Sequence, residues 1–375
     1  MKPRERVRAA LNFQKTDKVP VDFGSTNVSS IHIESYKNLI KKLGITHDKI
    51  EIIDSSMQIV RPCEEVLKLF QADTRAVKLK HGKSKTKIVN ENEYIDDWGL
   101  VWKRPVNGLF FDSSNAPLAN AESTEEILSY PWPETEALAS SDGIKEEAKA
   151  LYENTDYSLI GSFGSSIYMR AQLMRGYEQF FIDMVSNTDI VEALLDKILE
   201  IRIKLAAMLL DEAGEYLDVV ELADDITGQQ GPLFDPEIYR KLVKPRTKAL
   251  IDSIKSKHKH IKTLFHCCGS VTPFIEDFIE IGIDALNPVQ VSAADMDSKT
   301  LYKRFGGRIT FWGGIDQQGV LVNGSPEDVR KETRKRIEDF GSSGGYFPFS
   351  THNIQVDVSP ENIIAMYETI NQYKY

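Results

Sequence analysis

The sequence predicts a single (β/α)8 barrel domain over residues 1–375, and three observations indicate this fold class. Short apolar runs rich in β-forming residues recur along the chain, longer amphipathic helical patterns separate them, and uncommon polar residues gather where the runs end. Eight such runs are the predicted strands: 19–24, 75–79, 158–164, 218–225, 262–268, 284–289, 309–315 and 344–349.

The helical patterns between the runs carry recognisable ends. The pattern over 191–214 closes on a glycine, and the pattern over 326–341 begins with proline and also closes on glycine. Residues 85–118 interrupt the alternation and read as a β-hairpin inserted after the second strand. The alternative is an open doubly wound sheet, but no G-x-G-x-x-G follows the first run and no G-x-x-x-x-G-K-[ST] occurs anywhere.

Composition excludes several classes of function. Acidic residues outnumber basic ones 56 to 46, giving a net charge of −10, and no basic run with interleaved aromatic residues suggests nucleic-acid binding. No apolar stretch is long enough to span a membrane. Three cysteines without framework spacing suit a reducing compartment, so we expect a cytoplasmic enzyme.

The polar residues at the predicted strand ends are the candidates for chemistry, because barrel active sites form where the βα loops gather. Each of the last five runs ends in such residues or is followed by them: Glu221, Asp224 and Asp225; His266 and Cys268; Asn287 and Gln290; Asp316; and His352. Polar loops alone would explain a single aspartate. They do not explain the histidine and cysteine within "LFHCCG" at 264–269.

Strand geometry divides the "HCC" triplet. Side chains alternate faces, so His266 and Cys268 point to one side while Cys267 packs on the other. The two side chains on the shared face could converge on one metal ion, with His352 across the barrel mouth as a third ligand. The remaining histidines lie in helical or loop contexts: His32, His47, His81, His258 and His260. Two alternatives stay open: hydrogen-bonded polar residues without chemistry, and a Cys268 nucleophile with His266 as its base.

Five segments in order resemble the uroporphyrinogen decarboxylase superfamily, and within it the zinc-dependent corrinoid methyltransferases that include the methylcobamide:coenzyme M methyltransferases. They are "RERVRAALNFQKTDKVPV" (4–21), "DDITGQQGPLFDPEIYRKLVKP" (224–245), "FHCCGSVTPFIEDFIEIGIDALNPVQ" (265–290), "FWGGIDQQGVL" (311–321) and "HNIQVDVSPENIIAMYE" (352–368). The resemblance implies a (β/α)8 barrel. It also implies that His266 and Cys268 bind zinc, and that His352 stands where that branch has a third, cysteine ligand.

The resemblance further implies methyl transfer between a small molecule and a corrinoid (cobalamin) delivered by a partner protein. The small molecule would be a methyl ether, a thiol or a tetrahydrofolate-type compound. We expect His266, Cys268 and Asp225 to be catalytic. The residues expected to bind substrate are Glu221, Asp224, Asn287, Gln290 and Asp316, although Asp224 and Asp225 could instead orient His266 or cap a loop.

Two alternative functions are weaker. Decarboxylases of the superfamily bind substrate carboxylates with arginines of an early motif, and the corresponding stretch "FGSTNVSSIHIESY" (23–36) contains no arginine. A non-catalytic corrinoid or tetrapyrrole-binding barrel would need to hold its ligand, and no D-x-H-x-x-G corrinoid motif is present. Any corrinoid would therefore arrive on a separate protein.

Overall fold

The protein is an α/β structure built on a seven-stranded parallel sheet; the computed structural model describes residues 1–46, 49–341 and 344–373. Within this sheet, each strand pairs with the strand that precedes it and the strand that follows it in sequence, so the spatial order of the seven strands is their sequence order. The strands are β1 Thr74–Lys78, β2 Ser158–Ser162, β3 Val219–Ala223, β4 Lys262–His266, β5 Ala285–Asn287, β6 Thr310–Ile315 and β7 Tyr346–Ser350. Each lies within or overlaps one of the last seven predicted runs.

Helices follow and flank these strands. The two whose ends the sequence predicts are the helices Thr188–Ala213 and Pro326–Phe340, and the second begins with proline under a Ser325 cap. The other α-helices are Pro3–Leu11, Ile33–Leu43, Glu64–Leu69, Thr124–Ser129, Thr135–Leu138, Ile144–Asn154, Tyr168–Arg175, Tyr177–Ser186, Pro236–Ile238, Lys244–Lys257, Ile275–Glu280, Ser298–Phe305 and Pro360–Gln372. Short π-helical and 3-10 segments lie at Tyr239–Val243, Gln317–Leu321 and Thr272–Phe274. No helix in the described part of the chain is both long and apolar enough to cross a membrane.

The inner face of the parallel sheet is packed with one residue from each of six strands. Trp312 and Phe347 stack at its centre with ring centroids 3.8 Å apart. Residues of the helix Pro3–Leu11 join the same buried cluster, which comprises Val7, Ala10, Leu11, Ile160, Val219, Leu264, Ala285, Trp312 and Phe347. Arg8 binds Asp218, directly before β3, at 2.6 Å. The first helix therefore covers the amino end of the sheet and leaves the carboxyl end for the site.

The first predicted strand, 19–24, is wrong as a strand, although the segment is buried throughout. One backbone hydrogen bond remains, from the amide of Asp73 to the carbonyl of Val21 at 2.7 Å, and side chains make the other polar contacts to β1. The amide of Val21 donates to the carboxylate of Asp73 at 2.8 Å, and the hydroxyl of Thr74 donates to Asp22 at 2.6 Å. Because Asp73 satisfies the amide of Val21 through its side chain, this buried amide needs no partner in a regular strand pairing.

The chain that follows this segment reaches the other edge of the sheet. Ile31 pairs in parallel with Ile354, which lies just beyond β7. The amide of His32 donates to the carbonyl of Ile354, and the amide of Ile354 donates to Ser30, both at 2.8 Å. Residues 19–32 thus contact both β1 and the chain after β7.

The segment predicted as a hairpin, 85–118, holds four antiparallel strands rather than two. They are Lys87–Asn90, Glu93–Ile95, Val101–Lys103 and Asp112–Ser113, in sequence order across the sheet. The turn after Ile95 is fixed by Asp96, whose carboxylate accepts from the amides of Trp98 and Leu100. The remaining short pairings are Ile31–His32 and Glu51–Asp54 on either side of Ile59–Arg61, Lys80–His81 with Ala139–Ser140, and Thr227–Gly228 with Gly231–Pro232.

Candidate metal centre and active site

The register of the parallel sheet places the candidate residues side by side. Ala223 at the end of β3 pairs with His266 at the end of β4, and His266 pairs with Asn287 at the end of β5. Parallel strands present their carboxyl ends at one edge, so the loops that follow all three strands meet above His266. This alignment brings Asp225, Cys268 and Gln290 into the same region.

A hydrogen bond to Asn287 fixes the ring of His266. The Asn287 side chain is fully buried, and its amide nitrogen donates to the carbonyl of Trp312 at 3.0 Å. A backbone carbonyl can only accept, so the amide oxygen of Asn287 must face His266. Nδ1 of His266 therefore donates to that oxygen at 2.6 Å, and Nε2 carries the free lone pair.

Nε2 of His266 points at two other potential metal ligands. It lies 3.3 Å from Sγ of Cys268. One ligand atom from each of His266, Cys268 and His352 lies within 4.8 Å of the other two. The rings of the two histidines meet edge to face with centroids 6.0 Å apart. The structure thus assembles the three residues that the sequence predicted as metal ligands.

The contact between Cys268 and His266 is closer than straight strand geometry allows. β4 ends at His266, and the chain then turns at Gly269, whose φ is +93°. A side chain at Gly269 would meet the carbonyl oxygen of Gly228 at 2.5 Å. Because glycine permits this close approach, Cys268 is directed toward His266 rather than projecting parallel to it.

Cys267 lies on the opposite side, as strand alternation predicts. Its side chain is 1% exposed and belongs to the main hydrophobic core. Burial raises the pKa of the Cys267 thiol above its usual range, and burial followed by the charge of Asp225 raises that of Cys268 as well. Burial, with the nearby ring of His266, lowers the pKa of His352. All three groups therefore favour their neutral forms in the metal-free protein.

Two acidic side chains border the three-residue cluster. Asp225 accepts a hydrogen bond from the amide of Cys268 at 2.7 Å and lies 3.9 Å from Nε2 of His266. Glu221, on β3, accepts from the hydroxyl of Ser162 at 2.8 Å, and burial raises its pKa. Asp225 thus holds the backbone of Cys268 beside the ligand atoms, while Glu221 lies one pleat below the strand end.

Asp224, predicted to bind substrate or orient His266, instead has its carboxylate at the start of the helix Tyr168–Arg175. The carboxylate accepts four hydrogen bonds, from the hydroxyl of Ser166 and the amides of Ile167, Tyr168 and Met169, at 2.8–3.1 Å. Burial raises its pKa to about 6 against the opposing effect of these bonds. Asp224 therefore satisfies the free amides of a helix N-terminus.

Three other residues predicted to bind substrate form hydrogen bonds within the protein: Asn287, Gln290 and Asp316. The side-chain oxygen of Asn287 accepts from His266, and its side-chain nitrogen donates to Trp312. The amide oxygen of Gln290 accepts from the amide of Gly269 at 2.8 Å, and Gln290 also lines a cavity. Asp316 caps the segment Gln317–Leu321 by accepting from Gly319. Residue 47, one of the histidines set aside from the sequence, lies outside the described residues.

A cavity of about 520 Å³ adjoins the cluster and is large enough for a small organic molecule. Cys268 and His352 form part of its wall. The sequence did not indicate the other polar residues that line it: Gln229, Gln317, Gln318, Thr351, Gln355 and Asp357. Gln317 accepts a 2.5 Å hydrogen bond from the hydroxyl of Ser350, the last residue of β7, which joins the ends of β6 and β7. The sequence feature that could have predicted Gln317 and Gln318 in this wall is the pair of glutamines directly after a glycine-rich strand end, in "GGIDQQ" (313–318).

Comparison with known proteins gives one family match. A family model described as uroporphyrinogen decarboxylase (URO-D) matches residues 117–373. Similar curated proteins include the methylcobamide:CoM methyltransferases MtbA of Methanosarcina mazei and Methanosarcina acetivorans. They are 27% and 26% identical, over 48% and 58% of this chain and equal shares of those proteins. The chain thus matches about half of the length of these relatives.

Two further similarities cover more of the chain. A uroporphyrinogen decarboxylase of Ruthia magnifica is 24% identical over 71% of this chain and 75% of that protein. A solved structure described as a methyltransferase from Methanosarcina mazei superposes with a TM-score of 0.70, covering 99% of both chains at 18% identity. This structural likeness shows the fold.

The two adjacent aspartates should differ sharply in their effect on stability. We expect Asp224→Ala to lower the free energy of unfolding by about 3 kcal/mol, because three helix amides and a hydroxyl lose their acceptor in a buried place. Asp225→Ala removes one accepted hydrogen bond from a partly exposed carboxylate and should cost about 1 kcal/mol. Urea unfolding of the two variants measures both values. Equal losses would contradict the structural role of Asp224.

Proposed function

The chain belongs to the uroporphyrinogen decarboxylase family, and we propose that it is a zinc-dependent methyltransferase serving a corrinoid on a separate protein. The small-molecule methyl donor or acceptor is of the ether, thiol or tetrahydrofolate type. One observation carries the proposal: His266, Cys268 and His352 bring three metal-ligand atoms within 4.8 Å of one another beside a cavity.

The donor set fits zinc. Imidazole nitrogen and thiolate sulfur are the ligands that zinc prefers, with bonds of about 2.0 and 2.3 Å. Tetrahedral bonds of these lengths place neighbouring donors roughly 3.3–3.8 Å apart, which agrees with the 3.3 Å between Cys268 and His266. Three protein ligands leave a fourth position, as catalytic zinc sites do. The hydrogen bond from His266 to Asn287 is the outer contact that metal-binding histidines commonly make.

The bound metal would act as a Lewis acid that favours the thiolate of a thiol substrate or polarises the oxygen of a methyl ether. Two neutral histidines and one thiolate leave the ion a formal charge of about +1, which favours an anionic or electron-rich group. The residues of the chain prepare this position. Asn287 presents Nε2 of His266, and Asp225 holds the amide of Cys268.

The substrate would occupy the cavity of about 520 Å³ next to Cys268 and His352. Its polar wall offers amides and hydroxyls rather than fixed charges, with Asp357 as the exception. Gln290 lines this cavity while its oxygen holds Gly269, so it joins the substrate space to the turn that directs Cys268. We assign Gln290 to substrate contact and Asp225, 3.9 Å from Nε2 of His266, to catalysis. Glu221 and Asp316 are assigned to the border of the site.

Some of the relatives support methyl transfer, and residues 23–36 of this chain do not favour decarboxylation. The methylcobamide:CoM methyltransferases among them act on a cobamide, and we extend corrinoid chemistry to this chain on that basis. The stretch 23–36 lacks arginine and folds into a buried hydroxyl network, in which Ser25 and Thr26 contact Ser29. It therefore offers no cations for the carboxylates of a tetrapyrrole.

Two features of the fold belong to the same proposal. Residues 19–32, which contact β1 at one end and the chain after β7 at the other, take the place of an eighth strand and close the (β/α)8 barrel. The four-stranded antiparallel sheet between Lys87 and Ser113 is an insertion after β1. The domain then comprises residues 1–375 with this insertion.

Metal content tests the ligand set. The purified protein should contain about one zinc per chain, and the double variant His266→Ala, Cys268→Ala should contain none. Asn287→Ala should bind zinc about 10–100-fold more weakly, because the ring of His266 loses its fixed tautomer. Elemental analysis and competition with a chelator give these values.

Cys267→Ala is the matched control for the metal measurement. It removes a neighbouring thiol that packs in the core, so zinc content and affinity should not change. Retention of zinc by the double variant, or its loss from Cys267→Ala, would contradict the proposed ligands.

Spectroscopy with free cobalamin tests the reaction. Cob(I)alamin mixed with an aromatic methyl ether or methyltetrahydrofolate should become methylcobalamin when the protein is present, or methylcobalamin should transfer its methyl group to an added thiol. The His266→Ala, Cys268→Ala variant should be inactive and Cys267→Ala active, since only the first lacks the metal ligands. Two results together would favour the decarboxylase. The protein would not accelerate any of these methyl transfers, and it would remove carboxyl groups from uroporphyrinogen.

A further inference from the structure

A second cavity, of about 610 Å³, lies at the ends of β1 and β2. Lys78 and Ser162, the last residues of these strands, line it together with Trp98 and Arg202. We call this space the Arg202 cavity. It belongs to the carboxyl edge of the sheet, as the cluster of His266 does, but its wall contains different residues.

Arg202 forms no ion pair with any carboxylate in the described part of the chain. The residue projects from the helix Thr188–Ala213 and is 5% exposed. Its Nε donates to the carbonyl of Ser166 at 2.9 Å. Within the described chain, the two terminal nitrogens have no hydrogen-bond partner and no carboxylate within ion-pair distance. Nη1 faces Gly164, where an added Cβ would lie 3.8 Å away.

A second guanidinium adds to the positive charge. Arg170 and Arg202 both lie over the ring of Trp98, at 4.8 and 5.0 Å from its centroid. The charge of Arg170 is offset in part by Asp96, 3.6 Å away. Burial, followed by the charge of Arg170, lowers the pKa of Arg202 to about 9, and the charge of Asp224 opposes this shift only in part. A buried cation that is destabilised to this extent needs an anion nearby.

The other charged residues of the wall form no ion pair with Arg202. The carboxylates are Glu51 and Glu147, and the other cations are Arg61, Lys78 and Lys80. In the described chain, neither carboxylate lies within ion-pair distance of Arg202. Nζ of Lys78 donates to uncharged acceptors, the side chain of Asn27 and the carbonyl of Ile53. The carboxylate of Glu51 is engaged by Arg61 at 3.0 Å. The wall therefore keeps an excess of cations in a protein whose net charge is −10.

We infer that the Arg202 cavity binds an oxyanion, the carboxylate or phosphate group of the small-molecule substrate, with the terminal nitrogens of Arg202 as principal donors. A guanidinium with two free terminal nitrogens matches such groups in a bidentate way. The assignment to substrate rests on the proposed function. Ser162 connects the Arg202 cavity to the border of the metal centre, because it lines the cavity and donates at 2.8 Å to Glu221, whose carboxylate feels the charge of His266.

Anion titration tests the inference without methyl transfer. The full-length protein is titrated by calorimetry with sodium benzoate and with sodium phosphate, at constant ionic strength in chloride. The same titrations on the His266→Ala, Cys268→Ala variant exclude anions bound to zinc. We expect saturable binding in both backgrounds, and Arg202→Gln should weaken it about 10–100-fold, the effect of losing hydrogen bonds from a charged donor.

Two further variants control the titration. Lys204→Gln removes an exposed cation from the same helix, paired with Glu200, and should leave anion affinity unchanged. Arg202→Lys keeps the charge without the planar fork, so it should recover part of the affinity and remains informative if Arg202→Gln does not fold. Tighter benzoate binding identifies a substrate carboxylate, and tighter phosphate binding a phosphate group.

The inference is overturned if neither anion saturates the wild-type protein, or if Arg202→Gln and Arg202→Lys bind as the wild type does. That failure is separable from failure of the proposed function, because zinc content and cobalamin methylation do not enter this measurement. Conversely, if the purified protein contains no zinc but still binds anions through Arg202, the anion site stands and the proposed methyltransferase function is contradicted.

Discussion

The hydrogen bond from Nδ1 of His266 to the side chain of Asn287 is the interaction on which the site depends. It is buried, and its direction is fixed because the same amide donates to the carbonyl of Trp312. Three neighbouring strands, β4, β5 and β6, are joined by these two bonds. Since the tautomer follows from them, the free nitrogen of the ring can only face Cys268 and His352.

The backbone around Cys268 is held as firmly as the histidine ring. Asp225 and Gln290 accept the amides of Cys268 and Gly269, so two successive peptide groups after β4 are tied to neighbouring loops. The adjacent Asp224 satisfies the first amides of the helix after β2. Two consecutive aspartates thus stabilise two different loops, and both effects converge on the carboxyl edge of the sheet.

Much of this arrangement follows from sequence patterns, for physical reasons that differ by element. Buried parallel strands are continuous apolar runs, so seven strands could be located. Residues 19–24 have the same composition, but Asp22 and Asp73 take over their polar pairing, which composition does not reveal. Alternation along β4 separated Cys267 from its neighbours, whereas the roles of Asn287 and Asp224 depend on long-range contacts. The sequence did not predict that Arg202 is buried at a cavity, because an arginine in an amphipathic helix usually faces solvent.

Zinc K-edge X-ray absorption on the purified protein tests the central claim most directly, because it counts the sulfur and nitrogen atoms bound to the metal. The account predicts one sulfur at about 2.3 Å from Cys268 and two nitrogens at about 2.0 Å from His266 and His352, with a lighter atom or substrate in the fourth position. The sulfur contribution should vanish in Cys268→Ser and persist in Cys267→Ser. A spectrum with two protein sulfurs, or with oxygen ligands alone, would contradict the proposed metal centre.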